Sequence, residues 1–346
     1  MPLADVKGQE QAVEVLRRAI ASDRVAPAYL FVGPEGVGKR TTALEFAMAL
    51  LCQRAEGGPD ACRSCPSCQK VARDSHPDLL VIRPDGTQIK IGKREERGNE
   101  PPQIRQLIRA AHRKPYEGIR KIFVVDEAHR MNLDAANALL KTLEEPPPST
   151  VIILIATTLS HLPPTIVSRC QVVRFRLLPR AWLKGWIEKE RELPAEEVDW
   201  VLTFCGGRMD RARDLDPKGL RDLCSEALGM IRAALAGGVQ EILSRAAKAG
   251  RPRERAQEVL DILLLFLRNL TVLAWGVPLD HFGDAALQED LASLAREHPP
   301  QVWMRLFEGA RRFRADLDRY SNPQLGWEVW SLKASAAAAG DSGAYS

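Results

Sequence analysis

The sequence predicts an α/β fold: a parallel sheet with helices on both faces and a P-loop at its centre, then a small helical region and an all-helical C-terminal domain. Three observations predict it. As far as Leu178, short apolar runs alternate with helically spaced segments, the pattern of a parallel sheet covered on both faces. The first apolar run leads into a G-x4-G-K turn, Gly33 to Lys39, and a helix-forming run follows, which is the strand, loop and helix of a phosphate-binding loop. From Lys218 to Ala334 only helical patterns occur.

The elements follow in order. Val6, Val13, Leu16, Ala19 and Ile20 give Asp5 to Ile20 a helical spacing. Tyr29 to Val32 reads as a buried strand, and the helix after the P-loop runs to about Cys52 before the breaker-rich EGGPDA segment. A cysteine cluster precedes a second strand at Leu79 to Ile82. Arg83 to Pro102 is polar and broken by Pro and Gly, a loop or ribbon insertion, with Lys90 to Arg97 read as solvated. Ile104, Leu107, Ile108 and Ala111 sit at helical spacing. A strand at Lys121 to Val125 ends in Asp126-Glu127, a helix at Leu133 to Glu144 stops at three prolines, and a strand at Val151 to Ala156 ends in Thr157-Thr158. Beyond Leu178-Pro179 short helices surround Gly206-Gly207. The expected organisation is a nucleotide domain over 1–178 with a cysteine module at about 52–70, a small helical domain over 179–217, a helical C-terminal domain over 218–335 whose apolar faces are either core or an oligomer interface, and a disordered tail over 336–346.

The totals bound the function. A chain of 346 residues, 45% hydrophobic and 27% charged, can bury two or three cores. A formal net charge of +4 permits contact with nucleic acid without arguing for it. The start lacks the charged and apolar regions of a signal peptide, and the most apolar run, Val259 to Ala274, is too short and too interrupted to span a bilayer. A cytoplasmic protein with no membrane contact is expected, and its seven cysteines then favour metal binding over disulfides.

The P-loop chemistry rests on convergent backbone N–H groups at Gly33, Gly36 and Gly38, on the positive end of the following helix, and on the Lys39 ammonium. One position departs from the pattern. The Ser or Thr that would ligate Mg²⁺ after the lysine is Arg40, and Thr41 lies one residue late, about 100° around the helix, where it can reach a phosphate but not the metal. The loop therefore reads as built to hold a nucleotide and poorly built to hydrolyse one. Asp126, at the end of a buried strand, takes the place of the carboxylate that reaches Mg²⁺, and Glu127 that of a base for the attacking water; the plain alternative is a strand end with two solvated acids. The letters D-E-A-H also match a helicase box, but no second motor domain follows.

Cys52, Cys62, Cys65 and Cys68, spaced C-x9-C-x2-C-x2-C, can meet around one tetrahedral Zn²⁺ in a closed structural site; otherwise they are unrelated thiols. Cys170, Cys205 and Cys224 read as core residues. Arg169, in LPPTIVSRC, is placed either to reach a neighbour's nucleotide or to make a surface ion pair. Arg208, Arg211 and Arg213 read by default as a solvated helical face.

Together these motifs resemble the clamp-loader subunits of bacterial DNA polymerase III, of the AAA+ family, and within them the delta-prime branch. The resemblance is carried by VKGQEQAVEVL, RVAPAYLFVGPEGVGK, the inserted cysteines, HPDL at His76 to Leu79, VVDEAHRMN, NALLKTLEEPP, and ATT followed by LPPTIVSRC. It covers Asp5 to about Leu215 closely and the remainder in outline. It implies that Lys39 contacts phosphate, Asp126 lies at the metal, Thr157 is the sensor-1 residue and Arg211 that of sensor 2. It implies that Arg169 acts in trans on the adjacent subunit's ATP and that the four cysteines hold zinc. The implied partners are gamma/tau motor subunits and the delta subunit in a pentameric ring, the sliding clamp, and primer-template DNA through the assembly. Arg40 favours the non-hydrolysing branch, a scaffold with weak ATP/Mg²⁺ binding and little ATPase of its own. The rival expectations are an active motor subunit, and a zinc-dependent DNA-binding protein whose affinity would fall steeply with salt.

Overall fold

The computed structural model describes residues 2–54, 58–84, 88–90, 103–279, 282–318 and 322–340. The chain divides into two compact units, Met1–Leu183 with Gly206–Arg211, and Lys184–Cys205 with Ala212–Ser346.

The first unit is built on five parallel strands: β1 (Ala28–Val32), β2 (Leu79–Ile82), β3 (Lys121–Val125), β4 (Thr150–Ala156) and β5 (Gln171–Arg174), in the order β2-β3-β4-β1-β5. The central strands are buried along their whole length, as near-continuous apolar runs in a parallel sheet should be. Alternation then divides their side chains between two faces. Tyr29, Phe31, Val124 and Ile153 pack with Leu16 of α1 (Glu10–Ala21) and Phe46 of α2 (Lys39–Leu51). Leu30, Phe123, Ile152 and Leu154 pack on the opposite face with Leu107 of α4 (Ile104–Ala111), Leu139 of α5 (Leu133–Glu144) and Ile166 of α6 (Pro164–Val167). The expected α/β sheet with helices on both faces is thus present, and α3 (Pro66–Ala72) follows the cysteine turn.

Two local expectations shift in this unit. The first α-helix begins at Glu10 rather than Asp5, because Gly8 sits at φ 72° after a short 3₁₀ turn at Leu3–Asp5. Ile89, inside the expected loop insertion, is fully buried and forms a parallel bridge to Met131 through Ile89 N–H to the Arg130 carbonyl at 2.9 Å and Asn132 N–H to the Ile89 carbonyl at 3.0 Å. The rest of the expected solvated stretch, 91–97, lies outside the described residues.

The second unit is helical: the remainder of α7 (Arg180–Glu190), α8 (Ala195–Phe204), the end of α9 (Met209–Asp214), α10 (Pro217–Ala236), α11 (Val239–Ala249), α12 (Arg253–Ala274), α13 (Ala285–Glu297), α14 (Pro300–Asp318) and α15 (Pro323–Ala338). Phe266, Trp303, Trp327 and Trp330 are buried in one core, with Trp327 edge-on to both Phe313 and Trp330. Because Ala334 and Ala337 join that core, α15 continues three residues into the stretch expected as a tail, while 341–346 lie outside the described residues. Cys205 and Cys224 are buried as expected, and burial pushes the Cys224 thiol up to about 12. Among the described residues no helix is long and apolar enough to cross a membrane.

Candidate nucleotide and metal sites

Parallel strands deliver their following loops to one edge of the sheet, and ligands of open α/β sheets bind outside the carboxyl ends of the strands. Here that edge carries the P-loop after β1, Asp126 after β3 and Thr157 after β4. Backbone freedom matters at two of the glycines. Gly38 caps α2 at φ 94° with open space beside it, and Gly36, at φ 67°, lies so close to Asp210 that an added Cβ would stand 1.7 Å from its carboxylate oxygen.

The loop is closed on itself. Lys39 is buried, 8% exposed, and its ammonium donates to the carbonyl of Gly33 at 2.6 Å and to that of Pro34. Burial lowers its pKa, against the opposing pull of Glu35, Asp126 and Asp210. Arg40 pairs with Asp126, Nε to Oδ2 at 3.6 Å, so a guanidinium stands against the carboxylate expected at the metal. Glu127 occupies a left-handed conformation at φ 48° and its carboxylate is engaged by Arg130 at 2.8 Å. Thr41 is exposed at the start of α2, whereas the buried Thr42 hydroxyl donates to the Gly38 carbonyl at 2.9 Å. Thr157 Oγ1 lies 3.4 Å from His161 Nδ1, and His161 faces His129 at 6.0 Å between ring centroids.

The segment Gly206–Arg211 belongs to this unit and covers the loop: Met209 N–H donates to the Gly36 carbonyl at 2.7 Å. Arg208 pairs with Asp210 at 2.7 Å and with Glu35 at 3.4 Å. Burial would raise the Asp210 pKa, but the Arg208 guanidinium and the Arg211 N–H (2.8 Å) hold it below the usual carboxylate range. Arg208 is therefore not part of a solvated face, and Asp210 went unnoticed in the sequence. The only hint was an acid one turn-length after Gly206-Gly207. Gln9 was missed as well. It is buried and ties the P-loop to the end of β5 by donating to the carbonyls of Val37 and Arg176 and accepting from Arg176 N–H at 3.0 Å.

Arg169 lies just past α6. Its Nη1 donates to the Thr165 carbonyl at 2.8 Å and to Ser168 Oγ at 3.3 Å, and its Nη2 lies 2.7 Å from Glu144 Oε1.

The cysteine spacing does converge. The four Sγ atoms of Cys52, Cys62, Cys65 and Cys68 lie within 4.8 Å of one another, with Cys62 and Cys68 at 4.0 Å; a tetrahedral S₄ site with bonds of about 2.3 Å needs about 3.8 Å. Backbone N–H groups point at the sulfurs: Cys62 to Cys52 and Cys65 to Cys62, each at 3.4 Å, and Cys68 to Cys65 at 3.5 Å. The N–H groups of Cys65 and Ser64 bring the Cys62 thiol down to about 6, while burial pushes Cys68 up. This donor set fits a closed metal site. Between Cys65 and Cys68, Ser67 donates to the Leu51 carbonyl at 2.6 Å and meets His76 Nε2 at 2.9 Å. His76 Nδ1 accepts from Asp78 N–H at 3.0 Å, and Asp78 accepts from the N–H groups of Tyr116, Glu117 and Gly118 at 2.6–2.9 Å. Thus His76-Pro77-Asp78 clamps the cysteine module and the loop before β3 to the start of β2.

A parallel sheet in this order, with a P-loop after β1 and a carboxylate after β3, defines a P-loop protein of the AAA+ class. Comparison with known proteins carries the assignment further. A family model described as DNA polymerase III, delta subunit, matches residues 8–179. DNA polymerase III subunit delta′ of Pseudomonas aeruginosa is 36% identical over 246 residues, covering 70% of this chain and 68% of that protein. Subunit delta′ of Bacillus subtilis is 36% identical over 183 residues, 53% of this chain and 52% of that protein. The chain belongs to the delta-prime family of DNA polymerase III subunits, the clamp-loader branch to which its motifs pointed. A solved gamma subunit-related protein of Thermotoga maritima is similar over 94% of this chain and 99% of that one, at 20% identity and a TM-score of 0.43, a likeness that adds nothing to the assignment.

Proposed function

We propose that this clamp-loader subunit is a scaffold rather than a motor: it helps load the sliding clamp onto primed DNA within a pentameric ring of gamma/tau and delta subunits, and presents Arg169 to the adjacent subunit's ATP. One observation carries the non-hydrolysing part, the Arg40–Asp126 pair. A guanidinium stands where the hydroxyl ligand of Mg²⁺ is missing, and like charge opposes the metal there. The P-loop glycines and Lys39 would still be the groups that meet phosphate, with Thr41 beside them and Thr157 and Arg211 in the sensor places, but Lys39 must first leave two carbonyls and Asp210 must move from Gly36. Glu127, engaged by Arg130, is poorly free to act as a base. ATP/Mg²⁺ binding is accordingly weak.

The same reading takes residues 1–178 as the AAA+ domain, 179–217 as the lid and 218–335 as the oligomerisation collar, in a protein of the cytoplasm. It assigns a structural Zn²⁺ to Cys52, Cys62, Cys65 and Cys68, supported by the convergence of their sulfurs and the N–H groups aimed at them. Turnover of ATP by the isolated chain, measured with and without Mg²⁺, tests the scaffold assignment. Negligible turnover is expected, and robust Mg²⁺-dependent hydrolysis would restore the motor reading.

A further inference from the structure

We propose that Glu144 is a positioning residue for Arg169: an exchangeable counter-ion that holds the guanidinium in the unengaged subunit and surrenders it to a phosphate oxygen of the neighbouring nucleotide. The inference rests on the reading of Arg169 as acting on that nucleotide. Its first support is the distribution of the arginine's donors. Nη1 is tied back to its own turn, to the Thr165 carbonyl and to Ser168 Oγ, which itself donates to the Thr165 carbonyl at 3.1 Å. These bonds orient the guanidinium. Nε and Nη2 make no hydrogen bond among the described residues, and the Nη2 end meets only the Glu144 carboxylate, as an ion pair at 2.7 Å.

The second support is where Glu144 stands. It is the last residue of α5, followed by Glu145 as C-cap. Two acids at the negative end of a helix oppose the helix dipole, so local helix stability does not explain them. Arg169 compensates one of them. The side chains are 33% and 48% exposed for Arg169 and Glu144, and pairs in that setting contribute little to folding. A carboxylate that adds little to the fold, yet sits on the free end of an oriented arginine, is suited to being displaced by another anion of comparable geometry.

The test compares reconstituted loaders carrying wild type, Glu144→Gln, Glu144→Ala, Glu144→Asp, Arg169→Ala and the Glu144→Gln/Arg169→Ala double variant. The readout is binding of this subunit to motor subunits that are nucleotide-free or loaded with a non-hydrolysable ATP analogue. Removing the competing charge should tighten analogue-dependent binding about two- to fivefold, the range of an exposed ion pair, and leave nucleotide-free binding unchanged. Glu144→Gln and Glu144→Ala should agree in sign, Glu144→Asp should resemble wild type, and the double variant should match Arg169→Ala. A structural role alone would not separate the two nucleotide states. If Arg169→Ala weakens analogue-dependent binding while both neutral Glu144 variants match or fall below wild type, the counter-ion proposal fails and the reading of Arg169 stands. If Arg169→Ala has no effect, that reading fails and this proposal with it.

Discussion

The P-loop and the Arg169 turn are both places where a cation could meet a phosphate, and the chain treats them in opposite ways. Lys39 is buried and tied to two carbonyls of its own loop, with Asp210 packed against Gly36 and Arg40 paired to Asp126. Arg169 is partly exposed, oriented from one side, and held on the other, among the described residues, only by a surface carboxylate. Strand, loop and helix of a nucleotide fold can thus persist as architecture after the site has filled with its own side chains. On the proposed reading the cation that meets phosphate is Arg169, and the site it serves is a neighbour's. An incoming charge is stabilised by donors that are unpaired or whose partner it can displace, and an exposed carboxylate is easier to displace than two carbonyls of a closed loop.

The largest expected effect breaks this contrast at Arg169. Arginine fingers in phosphoryl-transfer systems contribute roughly 10³–10⁵ in rate at the site they serve. If Arg169 acts as proposed, Arg169→Ala should cripple the single ATP site it would serve, lower the loader's total DNA-stimulated ATPase more modestly, and reduce clamp loading most. Its own fold and metal should be retained, since its contacts are surface ones. Equal clamp loading by mutant and wild-type complexes of equal assembly would return Arg169 to a plain ion pair with Glu144.

Metal removal comes next. Freshly purified, reduced protein should carry one zinc per chain by metal analysis. Chelation, or Cys68→Ser, should increase amide exchange across 52–72 while the rest of the sheet stays protected, because a closed site couples binding to local folding. Finding no metal in such protein would remove zinc from the account.

If Arg40 and Asp210 are what close the loop, Arg40→Thr combined with Asp210→Ala should raise Mg²⁺-dependent nucleotide affinity by about tenfold, equivalent to about 1.4 kcal/mol. Arg40→Thr alone should do less, since Asp210 would still cover Gly36. Calorimetric titration with ATP measures both, and unchanged affinity in the double variant would place the block elsewhere.

The smallest effect is a pH dependence at His76. Burial lowers its pKa, so the unfolded chain binds a proton first, near the ordinary value of about 6.5. Stability should then fall as pH drops below that value, because the unfolded state holds more protons there. Ser67→Ala leaves the His76 Nε2 and the Leu51 carbonyl without this partner and should lower stability across the range while keeping that slope, whose cause is the burial of the imidazole. Thermal melts of both proteins between pH 5 and 8 check the sign; a wild-type melt that does not change over this range would exclude His76 as its source.

Sequence alone determined what depends on local periodicity and on residue chemistry at fixed spacing. The strand at Lys121–Val125 and the helix at Leu133–Glu144 appear with the bounds read from apolar runs and proline stops, since short-range sterics and burial pattern set them. The P-loop glycines, the missing hydroxyl at Arg40 and the four thiols were legible for the same reason, because each is a matter of neighbours in the chain. Tertiary structure decided what fills the sites. The Gly206–Arg211 segment places Asp210 over Gly36 from far along the chain, Gln9 closes onto Arg176, and Glu144 meets Arg169 only because α5 ends beside the turn after α6. Ile89 looked like loop because its neighbours are polar, yet the sheet buries it beside Met131. None of these pairings leaves a periodic signal. Each is set by which loops the parallel sheet brings together, the P-loop pairings at the carboxyl ends of its strands and the Glu144–Arg169 pair at the amino ends, and whether a charge is free or already paired is decided there.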